Sequence, residues 1–145
     1  MDEEDQEMDL TLLVGVIDCS TGAVQMVNAG HEDPLIVHKD GSVDLFEMRG
    51  GLRLRTLKGF PYEVEHLQLN QGDTLVIITD GATDASNAKD DRFGLDRVIK
   101  ALKEQGDSPA QARTKGLVDQ LRTFERGIEP ADDLTILALK YTGDV

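Results

Sequence analysis

Cysteine is nearly absent from this chain of 145 residues. Cys19 stands alone, so no intramolecular disulfide can form and a zinc–thiolate cluster is excluded. No basic residue stands beside it in sequence, which makes it an unreactive thiol rather than a nucleophile. Trp is missing and aromatics make up 4% of the chain, so the core is built mainly from Leu, Val, Ile and Ala. Positive charge is scarce: 15 Lys and Arg against 28 Asp and Glu give a net charge of −13. That balance argues against nucleic acid, whose phosphates are bound by Lys and Arg. It argues equally against an anionic membrane surface. No apolar run approaches the length of a membrane span. The first nine residues are acidic and do not resemble a secretory leader, so they are expected to form a flexible tip and the cytoplasm is the expected compartment.

What is present reads as one globular domain with enough apolar material to bury a core unaided. The acidic surplus fits carboxylate-bound divalent cations or a basic partner, although most of it is solvated surface.

Apolar runs and turn signals then lay out the chain. Leu10 to Ile17 is a buried strand, and Asp18-Cys19-Ser20-Thr21-Gly22 reverses it. Ala23 to Asn28 alternates as its hairpin partner. Leu35 to His38 and Val43 to Phe46 flank Lys39-Asp40-Gly41, a strong hairpin signal, so this first part reads as an antiparallel meander. Val64 to Leu69 and Thr74 to Ile78 are further strands around the turn at Gln71-Gly72-Asp73. After Asp91 the period changes. Leu95, Val98 and Leu102 predict a helix over Gly94 to Gln105, and Leu117, Leu121 and Phe124 a second over Pro109 to Arg126. Ser108-Pro109-Ala110-Gln111 reads as the start of the second, with Ser108 as N-cap. Leu134 to Tyr141 is a final strand. The expected fold is α+β, a mostly antiparallel sheet with two consecutive helices packed on one face.

Two acidic segments fall at strand boundaries. Thr79-Asp80-Gly81 ends one strand and Asp132-Asp133 precedes another. If those strands are antiparallel neighbours, the carboxylates converge at one edge of the sheet. Oxygen ligands without His or Cys suit Mg²⁺ or Mn²⁺. On spacing alone Asp-Gly is more often a turn, and Asp-Asp before a strand more often a solvated cap. His31 reads as a loop histidine bonded to its own backbone rather than a base or ligand.

The motifs in order carry a more specific message. Asn28-Ala29-Gly30-His31 with Pro34-Leu35, then Gly50-Gly51-Leu52, are followed by Leu69 with Gly72-Asp73 and Leu75. Thr79-Asp80-Gly81-Ala82-Thr83-Asp84-Ala85, Phe93-Gly94 and Asp132-Asp133-Leu134-Thr135 complete the series. This resembles the catalytic domain of the stage II sporulation protein E family, a bacterial branch of the PPM-type serine/threonine phosphatases, over Leu10 to Tyr141. The resemblance implies a β-sandwich flanked by helices that holds two Mn²⁺ or Mg²⁺ ions bridged by water. It implies that Asp80 and Asp132 are ligands of one ion, with Asp133 and Gly81 just outside them and no further catalytic residue. It implies in-line attack of metal-activated water on phosphoserine or phosphothreonine, in partners such as phosphorylated anti-sigma-factor antagonists. Where the family has Gly-x-Pro-Leu-Gly, this chain has Gly51-Leu52-Arg53-Leu54-Arg55, which puts Arg53 and Arg55 in a loop near the cleft.

The family pattern begins upstream of what these residues match. Residues 10–142 therefore read as the C-terminal portion of the domain, with at most one weak metal site and very low activity by itself. Self-association through an exposed sheet edge is expected. The alternative reading is a non-catalytic interaction module that keeps the phosphatase fold.

Overall fold

In the computed structural model, which describes residues 10–130 and 132–143, seven strands form two antiparallel sheets. The acidic segment 1–9 lies outside the described residues. One sheet has the order β1 (Leu12–Ile17), β2 (Ala23–Ala29), β5 (Glu65–Gln68). The other has the order β4 (Val43–Leu45), β3 (Leu35–Val37), β6 (Thr74–Ile78), β7 (Ile136–Lys140). All seven strands occupy segments whose apolar runs and turns predict them. The single meander is the exception. Asn28 to Pro34 carries the chain out of one sheet and into the other, because β2 takes β5 as its second neighbour across some forty residues of sequence.

The period of two explains the layering. Val24 and Met26 of β2 face Ile36 and Leu75 of the second sheet, with Leu69 and Met48 completing a core between the sheets. Leu35, Val37, Val76 and Ile78 point to the other face of the larger sheet and meet the helices. There α2 (Gly94–Glu104) buries Val98, Ala101 and Leu102, and α3 (Ala110–Glu125) buries Leu117 and Leu121. Both lie on one face, within a residue or so of their expected spans.

Two local details differ from expectation. The N-cap position of α3 is Pro109, and the Ser108 hydroxyl instead donates to the Gln105 carbonyl at 2.6 Å, closing the end of α2. A one-turn helix, α1 (Asp80–Thr83), follows β6 directly. Arg113 is also buried, at 1% exposure, on the stripe that holds Leu117 and Leu121. Its Nη2 donates to the Gly106 carbonyl at 2.8 Å, so a guanidinium satisfies the C-terminal end of α2.

Candidate functional site

β6 and β7 are antiparallel neighbours, in a register that pairs Ile78 with Ile136. The residue after β6 and the residue before β7 therefore face each other. Thr79 N–H donates to the Thr135 carbonyl at 3.1 Å, and Thr135 N–H donates to Thr79 Oγ1 at 3.0 Å. This stitch extends the ladder to the point where both chains leave the sheet. Beyond it, Gly81 lies against the backbone of Asp133. A Cβ there would collide with the Asp133 carbonyl oxygen and stand 2.9 Å from its carbonyl carbon. Only a residue without a side chain allows the two segments so close.

Asp80 is exposed in the first turn of α1, and Asp132 and Asp133 are exposed on the opposing segment. Asp132 Oδ1 accepts from Asp133 N–H at 2.8 Å, which holds the bend. The structure thus brings Gly81 against Asp133 and places Asp80 and Asp132 on facing segments.

The same end of the sandwich gathers other loops. β2 starts at the opposite end, since a Cβ on Gly22 would lie 2.8 Å from Tyr141, just past the end of β7. β2 and β6 therefore finish together. After β2, Asn28 folds the turn on itself, accepting from His31 N–H at 2.8 Å and donating to the His31 carbonyl at 2.9 Å. The His31 ring bonds the adjacent Glu32 carbonyl at 2.9 Å, so it is occupied by local backbone as expected. Burial pushes the Asp33 carboxyl up, against hydrogen bonds from Met48 backbone and Asn28 that pull it down. Arg53 packs on this turn, with its Cγ 2.6 Å from where a Gly30 Cβ would be. Arg55, two residues on, is exposed and holds a left-handed φ of 70°.

Exposed carboxylates on facing segments, with Gly81 leaving room, have the oxygen chemistry that a hard divalent cation takes while keeping several waters. Among the described residues no group of three or more His, Cys, Asp or Glu converges on a metal-sized site. The sequence supplied these aspartates; the Thr79–Thr135 stitch was legible only as motif letters, because its partner is 56 residues away.

Comparison with known proteins agrees with this architecture. The sequence profile of stage II sporulation protein E (SpoIIE) matches residues 1–142. Protein IcfG of Synechocystis sp. is 32% identical over 98 residues, which are 68% of this chain and 15% of that protein. The manganese-soaked phosphatase domain of the cell fate determinant SpoIIE from Bacillus subtilis superposes with a TM-score of 0.70 at 18% identity. That match covers 93% of this chain and 58% of that one. The RsbU and RsbW domains of Rv1364c from Mycobacterium tuberculosis superpose with a TM-score of 0.65 at 28% identity, over 93% of this chain and 37% of that one. The chain thus spans well under two thirds of the length of these relatives. With the family profile covering nearly every residue and the sandwich geometry in agreement, this chain belongs to the SpoIIE family of PPM-type phosphatase domains.

Proposed function

We propose that residues 10–142 are the C-terminal portion of a protein serine/threonine phosphatase domain acting in the cytoplasm. Its substrate is a phosphorylated regulatory protein of the anti-sigma-factor antagonist kind. The observation that carries this reading is the junction of β6 and β7, where a threonine stitch and a glycine contact oppose the Asp80 and Asp132 segments. The manganese soak of the Bacillus subtilis domain and the all-oxygen donor set both favour Mn²⁺ or Mg²⁺ as the ion.

Asp80 and Asp132 would hold that ion, which when bound supplies Lewis acidity and a water of lowered pKa. Asp133 shapes its neighbour's bend, and Gly81 keeps the two segments close. Arg53 and Arg55 border the cleft from the loop over Gly30, where guanidinium groups suit a phosphoryl oxygen. Two-metal hydrolysis needs a second ion at fixed separation. The described residues offer ligands for one, so these 145 residues alone turn over slowly at best.

The rival reading, an interaction module that keeps the fold without the chemistry, draws on the same shortage of ligands. Hydrolysis of a phosphoserine peptide with millimolar Mn²⁺ separates the two. It is measured for the 145 residues and for the same residues preceded by whatever their reading frame encodes upstream. The phosphatase reading expects turnover in the longer form, lost in Asp80→Ala, and almost none in the shorter. An inert longer form would favour the interaction module.

A further inference from the structure

The outer surface of the helix pair carries a groove whose charge runs against that of the chain. Its floor is aromatic: the Phe93 and Phe124 rings meet edge to face with centroids 5.3 Å apart. Arg97 lies flat on that floor, its guanidinium carbon 4.8 Å from the Phe124 centroid. Its Nη1 donates to the Phe93 carbonyl at 3.1 Å and also to the Arg92 carbonyl, which fixes the side chain in place. Lys100 stands about one turn further along α2, Arg126 closes the end of α3, and Lys89 comes from the loop before α2. All four cations are exposed, and Lys89, Lys100 and Arg126 make no ion pair with a described residue.

The charge count decides which occupant fits. Across the chain acids outnumber bases 28 to 15. In the groove four bases face two acids, Asp91 and Glu104, and both acids are engaged by amide donors, from Asn87 at 3.3 Å and Gln120 at 3.4 Å. Unpaired cations around a floor in which Phe124 is half-buried, over a buried Phe93, suit carboxylates flanking an apolar side chain. The cations attract the acids while the accessible part of Phe124 covers the apolar group. A strongly acidic chain also repels acidic partners everywhere else, which would confine such a partner to this face.

We propose that the groove between α2 and α3 docks an acidic segment of a partner protein carrying an apolar side chain between its carboxylates. The site lies outside the Asp80–Asp132 junction and does not rest on the phosphatase reading.

The probe is a fluorescein-labelled octapeptide of Glu and Asp with one central Phe, titrated with the full chain and read by anisotropy. Saturable binding is expected that weakens at least tenfold between 50 and 300 mM salt, as charge-driven association does. The double substitution Lys100→Glu with Arg126→Glu is expected to weaken binding at least tenfold. Lys58→Glu with Lys115→Glu, which changes the net charge equally outside the groove, leaves it within about twofold. Thermal unfolding of each variant checks that the fold is kept, and Phe124→Leu gives a milder loss without a charge change. Equal loss in both double variants, or no binding by the native chain, overturns the proposal. Binding that appears only when the acidic residues among 1–9 are changed to amides would assign the groove to this chain's own segment, and the partner proposal fails.

Discussion

The two ends of the sandwich are built from similar residues and treat them differently. At the end where β6 begins, the side chains of His38, Lys140 and Asp73 are tied to partners on other segments or turns. His38 sits between Asp44 at 2.7 Å and Asp73 at 3.3 Å. Lys140 donates to Asp107 at 2.8 Å, Asp73 accepts from Asn70 N–H at 2.9 Å, and Arg113 closes α2. At the end where β6 finishes, Asp80, Asp132 and Asp133 stand exposed with no cationic side chain paired to them among the described residues. The carboxylates of the first end meet cations or donors from other segments, while among the described residues Asp80, Asp132 and Asp133 meet no cation and Asp132 accepts only from the neighbouring Asp133 N–H. That difference, rather than the count of aspartates, is why the Asp80–Asp132 end is the one proposed as functional.

Glycine substitutions test whether the ends differ in function while costing alike in stability. Gly22→Ala meets a positive φ of 77° and the Leu69 carbonyl, and Gly81→Ala meets the Asp133 backbone. Each is expected to destabilise by about 1–3 kcal/mol, since backbone rather than a side-chain tip must give way. Only Gly81→Ala should also abolish Mn²⁺ binding under conditions where the variant is folded. Chemical denaturation and a metal titration on both variants check the contrast.

The tied end should show its charge in the pH dependence of stability. A hydrogen bond from His38 to Asp44, with help from Asp73, raises the imidazole pKa above its usual 6.5 despite partial burial. The protonated ring can donate to both carboxylates, whereas the neutral ring donates through one nitrogen only. With the folded value raised, this stabilisation is fully present below pH 6.5 and is lost as pH rises through the folded value. For a side chain about one third exposed, roughly 0.5–1 kcal/mol is a fair expectation after solvent screening. His38→Gln should therefore lower stability at pH 5.5 and change it little at pH 9. An equal loss at both would remove the charge-based account.

A third comparison is between the edges. β1 is the outer strand of its sheet, and Leu12, Val14 and Val16 on its outward face are 42%, 48% and 69% exposed. An unpaired apolar edge promotes association with another chain. Val14→Lys should leave the unfolding midpoint nearly unchanged and reduce self-association in sedimentation at high concentration. No association by the native chain would contradict this.

Much of this was legible in the sequence because the relevant forces are local. Alternation and Asp-Gly turns placed the strands, and the Leu95–Val98–Leu102 and Leu117–Leu121 spacings placed both long helices. What was hidden is long-range. No residue pattern near β2 says that β5 will pair with it, so the division into two sheets was legible only through the family resemblance, which implies a β-sandwich. α1 spans four residues, too few to show a helical period. Ser108 looked like a cap because its position fits one, but the carbonyl of Gln105 was the nearer unsatisfied partner. Arg113 was readable in principle, since it precedes Leu117 and Leu121 at steps of four. A charge on an apolar stripe is ordinarily assigned to the rim. The two aspartates of the candidate site were legible as residues, and their opposition depended on the β6–β7 register.

The central claim is that this opposition makes a cation site, and Mn²⁺ titration followed by electron paramagnetic resonance tests it most directly. Free Mn²⁺ signal is measured as metal is added to the native chain, to Asp80→Asn, to Asp132→Asn, and to Asp44→Asn from the tied end. The account predicts one weak site per native chain, lost in Asp80→Asn and in Asp132→Asn and retained in Asp44→Asn. Binding that survives both Asp80→Asn and Asp132→Asn would contradict it.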